Sequence, residues 1–139
     1  MGLFLGVDYG TKRIGLAIGD SITRLATPLP MLSATGSPAG DAAIIVKSLA
    51  EYDVSAIVVG LPLNMDDTEG PQAKITRTVG QHIERLCSLP LTFFDERLSS
   101  KAADETLGTT GLSARKRKRR RDSVAAQIML QSFLDNLTE

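Results

Sequence analysis

Over residues 3–8, "LFLGVD", one side of an extended chain carries Leu3, Leu5 and Val7, and the other carries Phe4, Gly6 and Asp8. Both sides are apolar until the last position, which predicts a central strand covered on two faces and ending in an acid. "YGTKR" then reads as a turn, and "IGLAIGD" as a second strand with small Gly and Ala on one side, so residues 3–19 form a predicted hairpin. A third strand, from about Arg24 to Leu32, is interrupted by Pro28 and Pro30 as an edge or strand end is.

Beyond the loop "SATGSPAGD", a helix is predicted from about Ala39 to Tyr52, with Ile45 and Leu49 at helical spacing. "SAIVVG" is a continuous apolar run, read as a buried parallel strand. The polar loop "LPLNMDDTEG" follows at its C-terminal end, and Pro71 opens a helix whose face is Ile75, Val79, Ile83 and Leu86. "LPLTFFDE" is a further strand ending in acids, and a helix from about Ser99 to Leu107 leads into "GTTGLSARKRKRRR". The last helix is expected to begin at Asp122 and to run to about Leu137, with Gly108 to Arg119 a mobile loop, because seven cations suit a helix start poorly. This order describes an α/β fold: a mixed five-stranded sheet with helices on both faces.

A length of 139 residues, 42% of them hydrophobic, fits one domain spanning 1–139 with a sizeable core. The single Cys87 forms no internal disulfide and reads as a small buried hydrophobe. The absence of a spanning apolar run or a basic leader places the chain among soluble, cytoplasmic proteins. Charge balances overall, yet residues 1–114 hold nine Lys/Arg against thirteen Asp/Glu, while 115–139 hold seven against three. The basic field is local, as for a protein that meets a polyanion on one side.

The acids sit where strands and a helix meet. Asp8 ends the first strand, Asp95 and Glu96 end the last, and Asp122 shares a helical face with Ala126, Met129, Phe133 and Leu137. A helix crossing the sheet near Gly6, with Ala125 and Ala126 allowing close approach, brings Asp122 toward Asp8 and one acid of the Asp95–Glu96 pair. Alternation admits only one of those two to that side and does not say which. Gathered carboxylates repel unless they share protons or bind cations, and oxygen ligands suit Mg²⁺ or Mn²⁺. Two such ions about 4 Å apart hydrolyse phosphodiesters.

"RKRKRRR", Arg115, Lys116, Arg117, Lys118, Arg119, Arg120 and Arg121, stands directly before Asp122 and reads as a phosphate grip. Asn64, with Asp66, Asp67 and Thr68, forms another loop bordering the site, the two acids there being exposed turn residues. Aromatics are only 4% of the chain, so recognition by shape and backbone is expected, with Tyr9 the one candidate for base stacking. His82, the only histidine, has a structural role.

Four segments, "GVDYGTKRIGLAIGD", "GLPLNMDDTEGPQA", "FFDERLSS" and "RDSVAAQIML", resemble in order and spacing the signatures of the YqgF/RuvX family of bacterial proteins. The resemblance covers nearly the whole chain and implies an RNase H-like fold related to the RuvC resolvases. It implies a nuclease that processes the 5′ end of pre-16S ribosomal RNA in ribosome biogenesis, or alternatively a Holliday junction resolvase, acting as a monomer or homodimer. Its acidic positions fall on Asp8, on Asp95–Glu96 and on Asp122, and its basic ones, expected to bind the nucleic acid, on Lys12, Arg13 and Arg97. Two other readings compete. "DYGT" also resembles the phosphate turn of actin-like and sugar-kinase ATPases, and the basic run suits a non-catalytic RNA-binding module.

Overall fold

The computed structural model describes residues 2–99 and 114–137, with backbone alone for 114–123. Its sheet has five strands in the order β3-β2-β1-β4-β5: β1 (Leu3–Tyr9), β2 (Arg13–Asp20), β3 (Ala26–Ser33), β4 (Val54–Leu61) and β5 (Leu91–Asp95). β1 is central, antiparallel to β2 and parallel to β4, while β3 and β5 are the edges. Pro28 and Pro30 lie on edge strand β3, where a missing N–H is tolerated. The helices among the described residues are α1 (Pro38–Ser48), α2 (Pro71–Leu86) and α3 (Ala114–Asp135).

Alternation along β1 divides the interior in two. Leu5, Val7 and Tyr9 join Ile14, Leu16, Ile57 and Val59 under α1 and α2. Gly6 and Phe4 face α3, whose Ala126, Met129, Leu130 and Leu134 are wholly buried with Ala17 and Val58. A Cβ on Gly6 would lie 2.9 Å from Leu130 Cβ, and one on Gly19 2.8 Å from Leu134 Cδ1. The bare backbone of these two glycines is therefore the seat of α3. The helix does cross the sheet at Gly6, where Leu130 makes the nearest contact, and Ala126 is wholly buried in the same cluster.

Two element boundaries and one helix face differ from the sequence reading. The α-helix expected to reach Tyr52 stops at Ser48 and tightens into a 3₁₀ turn, Leu49–Glu51. In α2 the buried face is Ala73, Thr76, Val79, Gly80 and Ile83, and Leu86 is 54% exposed. The helix is rotated toward its small residues because Gly80 admits the Phe93 ring, 2.5 Å from where a Cβ would stand. Finally, α3 begins at Ala114, so 114–119 are helical rather than loop, and Asp122 lies in the third turn rather than at the start. Arg and Lys are strong helix formers, and that propensity outweighs a dipole penalty of about 0.3–1 kcal/mol per exposed charge. The helix predicted from Ser99 to Leu107 and the remainder of the Gly108–Arg119 loop fall outside the described residues, apart from Ser99, which closes a 3₁₀ turn.

Candidate active site

Because β1, β4 and β5 run parallel, their C-terminal ends meet at one edge of the sheet, where open α/β folds place their ligands. Val7 pairs with Val59, so Asp8 stands beside Gly60 one residue further on, and across β2 Asp8 pairs with Gly15. Asp8 thus projects on the α3 face between two glycines. Glu96, just beyond β5, extends over the same spot: a Cβ on Gly60 would lie 2.6 Å from Glu96 Oε1 and 3.0 Å from its Cγ. The absence of a side chain at position 60 is what makes room for this carboxylate.

Asp95 has different company. Arg97 Nε donates to its Oδ1 at 3.0 Å and Nη2 to its Oδ2 at 2.7 Å, while its Oδ1 also caps the 3₁₀ turn Glu96–Leu98 through Arg97 N at 2.9 Å. The hydrogen bonds from Arg97 hold the Asp95 carboxyl below the usual carboxylate range, and Asp95 with Asp67 raises the guanidinium above its ordinary value. The same guanidinium reaches Asp67 at 2.8 Å and donates to the Asn64 carbonyl at 3.1 Å. Asp95 and Glu96, adjacent in sequence, therefore do different things.

Asn64 lies in a tightly bonded loop after β4. Its N–H donates to Thr68 O at 2.9 Å and its side-chain amide to Thr68 Oγ1 at 2.9 Å, while Leu63 bridges to Glu69. Asp66 accepts from Thr68 Oγ1 at 2.6 Å and from its N–H at 3.1 Å, bonds that lower its carboxyl. Asp66 and Asp67 are exposed turn residues, as expected, and Asp67 takes the left-handed conformation with φ 71°. Lys12 and Arg13 are exposed at the β1–β2 turn, at the same end as Asp8. That turn is closed by Gly10, where a Cβ would lie 2.6 Å from the Arg13 carbonyl oxygen.

Tyr9 is not a stacking residue. It is 8% exposed on the opposite face, where its hydroxyl donates to Asp41. Asp41, which sequence reasoning missed, is 1% exposed in the first turn of α1 and also accepts from Thr35 N at 2.6 Å and Thr35 Oγ1 at 2.9 Å. Burial and the bond to Asp41 push the Tyr9 hydroxyl well up; burial opposes ionisation of Asp41, but the bonds from Tyr9 and Thr35 prevail and lower it. The Tyr9 carbonyl accepts from Gln72 Nε2 of α2 at 3.2 Å, so the residue after Asp8 is tied to two helices. A buried Asp in a helix first turn, preceded by Ser37-Pro38, is a capping pattern, and nothing in it signals a tyrosine partner 32 residues away.

Asp122 and the cations Arg115, Lys116, Arg117, Lys118, Arg119, Arg120 and Arg121 are on α3, and their side chains lie outside the description. Among the described residues no three of His, Cys, Asp and Glu group closely enough to hold a metal ion. Asp8 and Glu96 nonetheless fit a hard divalent cation in chemistry: two carboxylates on one face, above a position without a side chain. No helix among the described residues is long and apolar enough to cross a membrane.

Comparison with known proteins places this geometry in context. The family model for RuvX, described as a Holliday junction resolvase, matches residues 2–136. A protein of Rhodobacter capsulatus, named "Putative pre-16S rRNA nuclease", is 42% identical over 99% of this chain and 86% of its own length. One of the same name from Anaeromyxobacter dehalogenans is 44% identical over 94% of this chain and 95% of its own. In overall shape the chain resembles Thermus thermophilus RuvC, solved with a Holliday junction substrate, with TM-score 0.58 at 13% identity over 96% of this chain and 94% of that one. RuvC solved alone gives TM-score 0.56 at 12% identity, over 95% and 93% of the two chains. At such identities the likeness speaks for the fold, an RNase H-like sheet of the RuvC type.

Proposed function

The chain belongs to the RuvX family, and from that premise we propose that it is a metal-dependent nuclease that trims the 5′ end of pre-16S ribosomal RNA in the cytoplasm. The observation that carries the reading is the placement of Glu96 over Gly60, beside Asp8, at the end where the parallel strands converge. The preference for RNA follows the relatives at 42% and 44% identity, whose name states that substrate.

Asp8, Glu96 and Asp122 would hold Mg²⁺ or Mn²⁺, which when bound supplies an activated water and counter-charge for the leaving oxygen. As its numbering falls from Leu134 to Leu130, α3 moves from Gly19, beside Phe4, onto Gly6, and so toward the Asp8 end of β1. Asp122 stands about 12 Å of helix before Leu130 on that course. Asp8 and Glu96 present oxygen donors from rigid strand ends. Lys12, Arg13 and the run Arg115–Arg121 would bind the phosphate backbone, and Asn64 would border its path.

Resolution of DNA junctions is the second reading, favoured by the likeness to RuvC. One experiment separates the two: cleavage of a 5′-extended ribosomal RNA precursor and of a DNA four-way junction by wild type and Asp8→Asn, with Mn²⁺ or EDTA. Cutting of the RNA that requires both metal and Asp8 supports the proposal, and cutting of the junction alone supports resolvase. Binding of both without cleavage by wild type returns the protein to the class of RNA-binding modules.

A further inference from the structure

We infer that Arg97 is a positioning residue, which braces the loop after β4 against the end of β5 and so keeps Glu96 over Gly60. The inference rests on the proposed nuclease reading in giving Glu96 its purpose, while the brace itself stands on the bonds. Every nitrogen of the guanidinium is engaged. Nε meets both oxygens of Asp95 at 3.0 and 3.1 Å, Nη2 spans Asp95 at 2.7 Å and Asp67 at 2.8 Å, and Nη1 donates to Asn64 O at 3.1 Å. Two carboxylates balance its charge, so a phosphate would have to displace one of them to be bound.

The two structures this arginine joins each carry hydrogen bonds of their own. On the loop side, Asp67 N donates to Asn64 O at 3.0 Å and Asn64 N to Thr68 O at 2.9 Å, with Asp67 held at φ 71° to face the guanidinium. On the strand side, Asp95 caps the 3₁₀ turn, and Ser99 donates to the Glu96 carbonyl from its N–H at 3.0 Å and its hydroxyl at 2.8 Å. Glu96 therefore leaves a backbone fixed before and after it. Exposed single ion pairs contribute little stability, but this is a bidentate pair within a network, and its effect is on geometry. Partners that orient a metal-ligating carboxylate typically matter by 10–100-fold in metal affinity.

The test compares wild type with Arg97→Gln and Arg97→Lys. RNA binding is titrated with salt in EDTA, amide exchange is followed at 64–68, and the Mn²⁺ concentration for half-maximal cleavage is determined. The expected result is an unchanged salt slope, about tenfold faster exchange in the loop, and a Mn²⁺ requirement raised about tenfold at unchanged KM for RNA. Lysine does not rescue, because it makes no bidentate pair. A salt slope shallower by about 0.7, with loop exchange as in wild type, means that Arg97 grips a phosphate and overturns the inference. Should Arg97→Gln fail to fold, Asp67→Asn at a side chain 83% exposed removes one arm alone, and unaltered loop exchange there overturns it equally. A wild type that never cleaves would sink the nuclease reading, while slope and exchange still decide the brace.

Discussion

Leu130 rests on the bare backbone of Gly6, so close that a Cβ there would fall 2.9 Å from its own. The contact sets the height of α3 above the central strand. Gly6→Ala is expected to cost about 1–3 kcal/mol through overpacking, and Leu130→Ala about 2–5 kcal/mol through the cavity it leaves. Urea denaturation monitored by circular dichroism measures both, and a Gly6→Ala protein as stable as wild type would contradict the close seat.

Gly60→Ala tests a different closeness. The new methyl would stand 2.6 Å from Glu96 Oε1, the far end of a side chain that can swing away. Stability is expected to change by less than about 1 kcal/mol while metal-dependent cleavage falls at least about tenfold. Equal loss of both would point to a structural role for Glu96.

The two adjoining acids have different contacts, and the proposed function divides their roles accordingly. Glu96→Gln is expected to lower cleavage about a hundredfold or more, as Asp8→Asn does, because each removes a donor on the metal-facing side. Asp95→Asn weakens the hold on Arg97 and is expected to lower cleavage only about tenfold, by way of position. Single-turnover assays at saturating Mn²⁺ rank the three, and an Asp95 variant deader than the Glu96 one reverses the assignment.

The Tyr9–Asp41 pair gives stability a pH dependence at both extremes. Asp41 titrates below its ordinary 3.8, so its contribution is present above that value and is lost as pH falls through the lowered one. Tyr9 titrates above its ordinary 10.0, so its contribution is complete below 10 and is lost as pH rises through the raised value. Tyr9→Phe is expected to cost about 1–3 kcal/mol near neutral pH and to flatten both limbs of a plot of urea midpoint against pH. Limbs as steep as in wild type would show that other groups govern them.

Replacing three of the cations in Arg115–Arg121 by alanine is expected to reduce the salt slope of RNA binding by about 2–3. Fluorescence anisotropy across a salt series reads it directly, and an unmoved slope would remove the run from the phosphate contacts.

Much of this architecture was legible before the structure, for a physical reason. The alternation in "LFLGVD" marks a strand with two covered faces, and it put Gly6 and Asp8 on the same one, which is where α3 lies. Parallel strands with crossover helices then send their acidic ends to one edge. What alternation left open was the choice between Asp95 and Glu96, because the chain leaves its strand at that point and turns into a 3₁₀ cap. That Asp67, thirty residues before Arg97, folds back on its guanidinium is likewise hidden in a sequence, which shows only a cation. The start of α3 is not legible from the dipole alone, because the helix propensity of arginine works against it. Tyr9 beside Asp8 suggested a surface ring, although the same alternation that exposes Asp8 toward α3 turns Tyr9 toward α1.

The seat of α3 also orders events in time. One face of the sheet is covered by residues far downstream, as the bond between Ala26 N and Gln131 Oε1 across 105 positions illustrates. While a nascent chain is still short of that helix, Gly6, Ala17 and Val58 have nothing upon them, and local contacts alone close only the α1–α2 side. The same helix carries Asp122, so a metal site that uses it, as proposed, waits for α3 to dock on Gly6.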